Sequence, residues 1–193
     1  MTPDALAAQL RAVPESERDG WVDTMLACDE LLEDGPLPRG CVPYLPCAVD
    51  TLVEALERAA VTDDDVFVDV GAGIGRTVLL AHLLTGARCI GLEIQPPMVQ
   101  AARGRAAELG LSAVSFVEGD AVELVRVVDE GTVYFMYCPF GRDRLDPILT
   151  DLEGLARRQP IRVCCVGMPP LQRAWLEAMP ATSVDLAVYQ STY

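Results

Sequence analysis

The chain has 193 residues, is 51% hydrophobic and 23% charged, and carries a formal net charge of −14 from 15 Lys+Arg against 29 Asp+Glu. That size fits one domain with a small extension, and that apolar content excludes a disordered chain. The acidic balance argues against broad nucleic-acid binding, which needs clustered cations to neutralise phosphates, and would favour a basic partner instead.

The opening MTPDALAAQLRA is amphipathic and contains an acid, so it does not read as a secretory signal. No apolar run reaches the roughly 18 residues of a membrane span, so the expected location is the cytoplasm, with no membrane partner. The 7 cysteines are odd in number and mostly lie within apolar runs, which suits buried thiols. Cys41 and Cys47 lack zinc-knuckle spacing and no CxxC occurs, so no metal site is expected.

In chain order, DALAAQLRAV and DGWVDTMLACDELL show helical spacing of apolar residues, with Pro14 between them. The passage DGPLPRGCVPYLPC is extended and punctuated by prolines. DTLVEALERAA reads as a further helix, with Asp50 as its expected N-cap. From Val66 onward the pattern changes. The short β-branched runs VFVDV, RCIGLEI, VSFVEGD, TVYFMY and IRVCCVG alternate with the helical segments RTVLLAHLLTG, PPMVQAARGRAAELG and PILTDLEGLARR. Between the third and fourth runs, AVELVRVVDEG is short or loop-like. Near-continuous apolar strands alternating with amphipathic helices predict a doubly wound, mostly parallel α/β sheet covered on both faces. Cys164 and Cys165, adjacent on one strand, should point to opposite faces. The tail, AWLEAMP and VDLAVYQSTY, has no room for a crossover helix, so its two strands should pair antiparallel.

The first strand runs into VGAGIGRT, where open α/β folds bind ligands outside the carboxyl ends of their strands. Glycines there permit unusual backbone angles and let a ligand approach the main chain. The helix that follows offers free N–H groups and a positive dipole end. Dinucleotide binding wants G-x-G-x-x-G. Here Gly71, Gly73 and Gly75 form G-x-G-x-G, and Arg76 stands where the last glycine of that pattern belongs. Glu93 ends the second strand, where an acid can accept ribose hydroxyls. Asp120 ends the third and could also cap the segment after it.

The arrangement from Asp69 through the three glycines resembles the first motif of class I S-adenosylmethionine (SAM)-dependent methyltransferases, and the order Asp69, glycine turn, Glu93, Asp120 continues the resemblance over roughly residues 43–193. It implies SAM as cofactor. Asp69, Gly71, Ala72, Gly73 and Gly75 would then surround its amino-acid end, Glu93 its ribose, and Ile94, Asp120 and Ala121 its adenine. It also implies a seven-stranded sheet ending in an antiparallel hairpin, in agreement with the tail pattern. The implied organisation is an N-terminal helical extension with a proline-rich linker over 1–42 and a SAM-binding domain over 43–193.

The methyl acceptor is the open question. Many amino-group methyltransferases carry N-P-P-Y or a relative after the fourth strand, and here the stretch reads YCPF. Tyr137 stands at the polar position and Phe140 at the aromatic one, with Pro139 kept and the carboxamide missing, which disfavours a nucleobase amine. VPYLP, the glycine turn and VYFMYCPFG also look like the seven-strand protein-lysine methyltransferases. Tyr44 in PYLP is a candidate lid residue, and Tyr44, Tyr137, Pro139 and Phe140 form the expected acceptor pocket. His82, the sole histidine, lies inside an apolar helix, so no general base is evident. The expected function is methyl transfer to a protein amine or a small molecule. A non-catalytic SAM-binding module and a nicotinamide-dependent oxidoreductase are the alternatives, and no oligomeric state is implied.

Overall fold

The computed structural model describes residues 2–28, 32–138, 140–180, 183 and 185–193. Among these residues, seven strands make one sheet: β1 (Val66–Val70), β2 (Arg88–Glu93), β3 (Val114–Glu118), β4 (Val133–Tyr137), β5 (Arg162–Val166), β6 (Leu176–Ala178) and β7 (Leu186–Ser191). Their order is β3-β2-β1-β4-β5-β7-β6. The first five are parallel, and β7 runs antiparallel to both β5 and β6. The alternating pattern and the hairpin tail expected from the sequence are both present.

The helices are α1 (Pro3–Ala12), α2 (Arg18–Leu26), α3 (Val49–Arg58), α4 (Arg76–Thr85), α5 (Pro96–Glu108), α6 (Ala121–Leu124) and α7 (Arg142–Ala156). They cover both faces of the sheet, because the central parallel strands β1, β2, β4 and β5 are buried on both sides. Phe67 of β1 joins the core beneath α3, α4 and α5, whereas Val68 joins the core on the α6–α7 side. Cys164 and Cys165 part in the same way, one to each core. Helices α1 and α2 pack on α4 and form an outer layer, adding Leu6, Leu10, Val22 and Leu26 to the first core.

Three local expectations need correction. The helix read over 19–32 stops at Leu26, because Ala27 turns left-handed at φ 52° and its carbonyl accepts Arg105 Nε at 2.7 Å. Residues 29–31 of that reading lie outside the described residues. Asp50 is not the N-cap of α3. That place falls to Ala48, the orphan Val49 amide donates to Asp19 Oδ1 of α2 at 3.0 Å, and Asp50 instead pairs with Arg18 at 2.6 Å. A partner from another helix has thus replaced the local cap. Helix α7 begins five residues before Pro147 and carries the proline inside it. The segment after β3 is short, as expected: it opens with the four-residue helix α6, capped by Asp120 through Val122 N at 3.0 Å.

Leu152 of α7 is fully buried in the second core. Leu152→Ala is expected to cost about 2–5 kcal/mol, since the lost contacts leave a cavity that the neighbours fill only in part. Urea unfolding of the two chains measures this, and a loss below about 1 kcal/mol would show that α7 repacks freely.

Candidate functional site

The carboxyl ends of β1, β2 and β4 and the loop after β3 surround one pocket. Its described lining includes Asp69, Gly71, Ala72, Glu93, Ile94, Asp120, Ala121, Tyr44, Tyr137 and Phe140. Gly73 and Gly75 continue the turn behind it. Pro139, the remaining residue read from the sequence as a site residue, lies outside the described residues.

The turn is built by backbone bonds across two strands. Gly71 N and Ala72 N both donate to Leu92 O at 2.9 Å, which pins the chain leaving β1 to the end of β2. Gly75 adopts φ 86°, and a Cβ there would meet Phe116 Cζ at 2.6 Å and Ala102 Cβ at 2.8 Å. Both the backbone angle and the helix–sheet packing therefore require glycine. Gly73 has φ 54°, and a Cβ on it would clash with Cδ2 and Cε2 at the edge of the Tyr44 ring.

Glu93 is buried and secures this turn. One oxygen accepts from Gly73 N at 2.8 Å and the other from Gln95 N at 2.9 Å. Each oxygen keeps a further lone pair for a ligand hydroxyl. Asp69 is different. It is 3% exposed, and no donor or cation among the described residues bonds to its carboxyl. Burial, reinforced by the Glu93 charge, pushes its pKa up to about 8. A buried carboxyl in that condition is suited to receive a cation, because a positive partner removes the penalty on its ionised form.

At the other end of the pocket Asp120 caps α6 and also forms an ion pair with Arg144 of α7. Sequence reading missed Arg144. It lies before Pro147, in the turn that the sequence pattern left out of the helix. Ile94 lines the wall beside Glu93.

A strap of residues 37–47 runs across the mouth. Tyr44 N donates to Asp34 Oδ1 at 3.0 Å, and Asp34 in turn accepts from Gln95 Nε2 at 2.8 Å. Cys41 bridges to Phe140, and Gly141 N donates to Gly40 O at 2.8 Å, so the strap is joined to the β4–α7 linker. This segment supplies pocket residues that the sequence did not mark, including Leu37, Val42 and Cys47. Its prolines signalled an extended path but not where that path lay.

The β4 end of the pocket is formed by Tyr137, Cys138 and Phe140. Cys138 adopts φ 42°, unusual for a residue with a side chain, and its Sγ lies 2.7 Å from Gly167 O. Burial raises the pKa of the Tyr137 phenol and of the Cys138 thiol and takes that of Cys47 to about 12. All three are neutral at physiological pH, so none is a ready base. His82 stands two turns along α4 from the pocket, with Nδ1 2.7 Å from Ala87 O.

Asp69→Asn tests the electrostatics of the site directly. The raised folded-state pKa means that ionised Asp69 destabilises the ligand-free fold. That penalty is absent below about pH 4, grows as pH rises towards 8, and is level above it. The Asn variant should therefore melt higher than the parent at pH 8, with the gap closing near pH 4. An equal gap at both pH values would contradict the assigned shift.

The family model described as "Methyltransferase domain" matches residues 61–133, the stretch from just before β1 to the start of β4. A protein-L-isoaspartate O-methyltransferase of Methylorubrum populi is 35% identical over 116 residues, which are 59% of this chain and 52% of that protein. A protein-lysine N-methyltransferase of Saccharolobus islandicus is 30% identical over 98 residues, 50% of this chain and 60% of that protein. The chain thus spans little more than half the length of these relatives. Among solved structures, an RNA methyltransferase from Salinibacter ruber in complex with S-adenosyl-L-homocysteine superposes with a TM-score of 0.55 at 27% identity, covering 76% of this chain and 92% of that one. Sheet order, glycine turn and these matches together show that the chain has the fold of the class I, seven-strand methyltransferases.

Proposed function

We propose that this protein is a SAM-dependent methyltransferase that acts on an amine of a protein or on a small molecule. One observation carries the reading: a buried carboxyl without a partner, Asp69, sits beside a glycine turn whose amides are already organised by Glu93. Asp69 would hold the ammonium of the amino-acid end, with the Gly73–Gly75 backbone close to it. Glu93 would use its spare lone pairs on the ribose hydroxyls. Asp120 and the Ala121 backbone would read adenine, with Ile94 against the ring. The Salinibacter ruber neighbour holds S-adenosyl-L-homocysteine, which supports the same cofactor class here. Arg76 at the third-glycine position of the dinucleotide pattern argues against a nicotinamide cofactor.

Bound SAM supplies an electrophilic methyl group that is displaced in line. The protein's part is to align the acceptor and exclude water, and proximity alone can account for much of the rate. Tyr137 and Phe140 would orient the acceptor. Among the described residues no base is hydrogen-bonded to them, and Asp185 acts on Tyr137 only through its charge, so the acceptor should arrive neutral or lose its proton to solvent. The missing Asn or Asp after β4 weighs against a nucleobase amine. The relatives named above act on different acceptors by their names, so the acceptor atom is left open. Seven free thiols suit a reducing compartment, in keeping with a cytoplasmic protein.

The lack of a base at the acceptor end supports a second reading, a SAM-binding module without transferase activity. Titration calorimetry with SAM and S-adenosyl-L-homocysteine separates the possibilities. Both ligands should bind, and Glu93→Ala should weaken binding by roughly 10–100-fold, the size of one or two charge-assisted hydrogen bonds. If neither ligand binds, the cofactor assignment is wrong. Labelled-methyl transfer to cell extract, divided into protein, nucleic-acid and small-molecule fractions, should mark the protein or small-molecule fraction. Binding with no transfer to any fraction would leave the binding module.

Affinity should also depend on pH. The ligand ammonium needs ionised Asp69, whose pKa in the ligand-free protein is about 8. Affinity should therefore fall as pH drops from 8 to 6, approaching tenfold per unit, with a proton released on binding. Calorimetry in buffers of different ionisation enthalpy measures that proton, and its absence at pH 6.5 would remove Asp69 from the ammonium site.

A further inference from the structure

Arg76 ties three separate parts of the chain to the cofactor turn. It is the first residue of α4, directly after Gly75, and its side chain is 5% exposed. Its Nε donates to Asp23 Oδ1 at 2.5 Å, and Nη2 donates to Asp19 Oδ1 at 2.8 Å, both on α2. Nη1 donates to the Cys47 carbonyl at 2.5 Å. Asp19 Oδ1 also accepts from Val49 N, at the start of α3.

Cys47 is the C-terminal end of the strap that places Tyr44 over Gly73. The other parts of the strap hang on Asp34, Gln95 and the Gly40–Gly141 bond. Its last residue is held by Arg76. The guanidinium does this while buried, and two acids from α2 make that burial tolerable; a buried arginine without them would be strongly unfavourable. A planar fork with donors in several directions can serve all three acceptors at once, which a lysine ammonium on a flexible stem cannot do in the same geometry.

We propose that Arg76 is a positioning residue that holds the Tyr44 strap over the cofactor turn and, through Asp19 and Asp23, makes the N-terminal helix α2 part of the cofactor site. The proposal rests on the SAM reading above for its ligand but not for its geometry. Arg76 touches no ligand in this scheme. It acts by setting where Cys47, and hence Tyr44, can lie. The N-terminal helices then serve the site as well as the fold.

The test uses the full chain and three variants: Arg76→Lys, Asp23→Asn and, as a control, Asp50→Asn. The control removes the Arg18–Asp50 pair at the same α2–α3 junction without touching Cys47 or the turn. S-adenosyl-L-homocysteine binding is measured by calorimetry, and amide hydrogen exchange is followed at Val42, Tyr44, Leu45 and Cys47. Arg76→Lys should weaken binding about tenfold and speed exchange across these amides, the loss expected for charge-assisted bonds to the strap. Asp23→Asn keeps an acceptor and the Asp19 charge, so it should fold and show the same changes at smaller size, about threefold. Asp50→Asn should lower Tm slightly and leave both readouts at parent values. The proposal is overturned if Arg76→Lys and Asp23→Asn bind within the error of the parent, or if Asp50→Asn weakens binding as much as they do. Should the parent bind no S-adenosyl-L-homocysteine, the SAM reading fails by itself. The exchange comparison then decides the clasp, and unaltered strap exchange in Asp23→Asn would sink it. Should Arg76→Lys not fold, Asp23→Asn decides by the same two readouts.

Discussion

Two carboxyl groups, Asp69 and Glu93, end neighbouring parallel strands with almost no contact with solvent, and the rest of the site is arranged around that constraint. Burying two acids side by side is costly unless one is bonded and the other is neutral or awaits a cation. Glu93 takes the first course, through the amides of Gly73 and Gln95. Asp69 takes the second, with a pKa pushed up to about 8. The glycine turn has its shape because the Leu92 carbonyl and the Glu93 carboxylate together consume three of its amides. A binding site built this way is organised before any ligand arrives, at the expense of a strained electrostatic state in the empty protein.

The outer layer of the fold depends on the same corner. Arg76 leaves the turn in the opposite direction and is buried against α2 and the strap. Asp19 and Asp23 of α2 are therefore partners for one buried cation, and Asp19 also serves the α3 N-terminus. This accounts for part of the negative charge near the N-terminus without invoking a basic partner. It also explains how a strap rich in proline, with few amides to offer, can hold a defined path. Its anchors come from side chains and carbonyls of other elements.

The β4 end of the pocket has a different character. Tyr137, Cys138 and Phe140 combine aromatic surface with a thiol held near a carbonyl, and Cys138 bears a left-handed backbone angle. Such strain persists only where the surroundings over-determine it. The chemistry available there is orientation and exclusion of water. That suits methyl transfer, in which the methyl donor itself carries the electrophile and the protein need supply little acid–base work.

Some features were legible in the residues alone. Val66–Val70 and the runs after it alternate in a way that only a doubly wound sheet can bury, and the tail had no length for a crossover. Asp69, Gly71, Gly73, Gly75, Glu93 and Asp120 were visible because strand-end acids and glycines at that spacing have few structural alternatives. These signals are local, since periodicity and turn chemistry act between residues a few positions apart. What only the tertiary structure decided depends on distant partners. Helix α2 ends at Ala27 because Arg105 takes its carbonyl, α3 is capped by Asp19 rather than by its own Asp50, and Arg144 reaches Asp120 from the far side of β4. Arg76 first registered as the residue that breaks a dinucleotide pattern, and its three acceptors lie 29 to 57 residues away in the chain. No window of sequence holds both ends of such a bond, so its existence had to come from the fold.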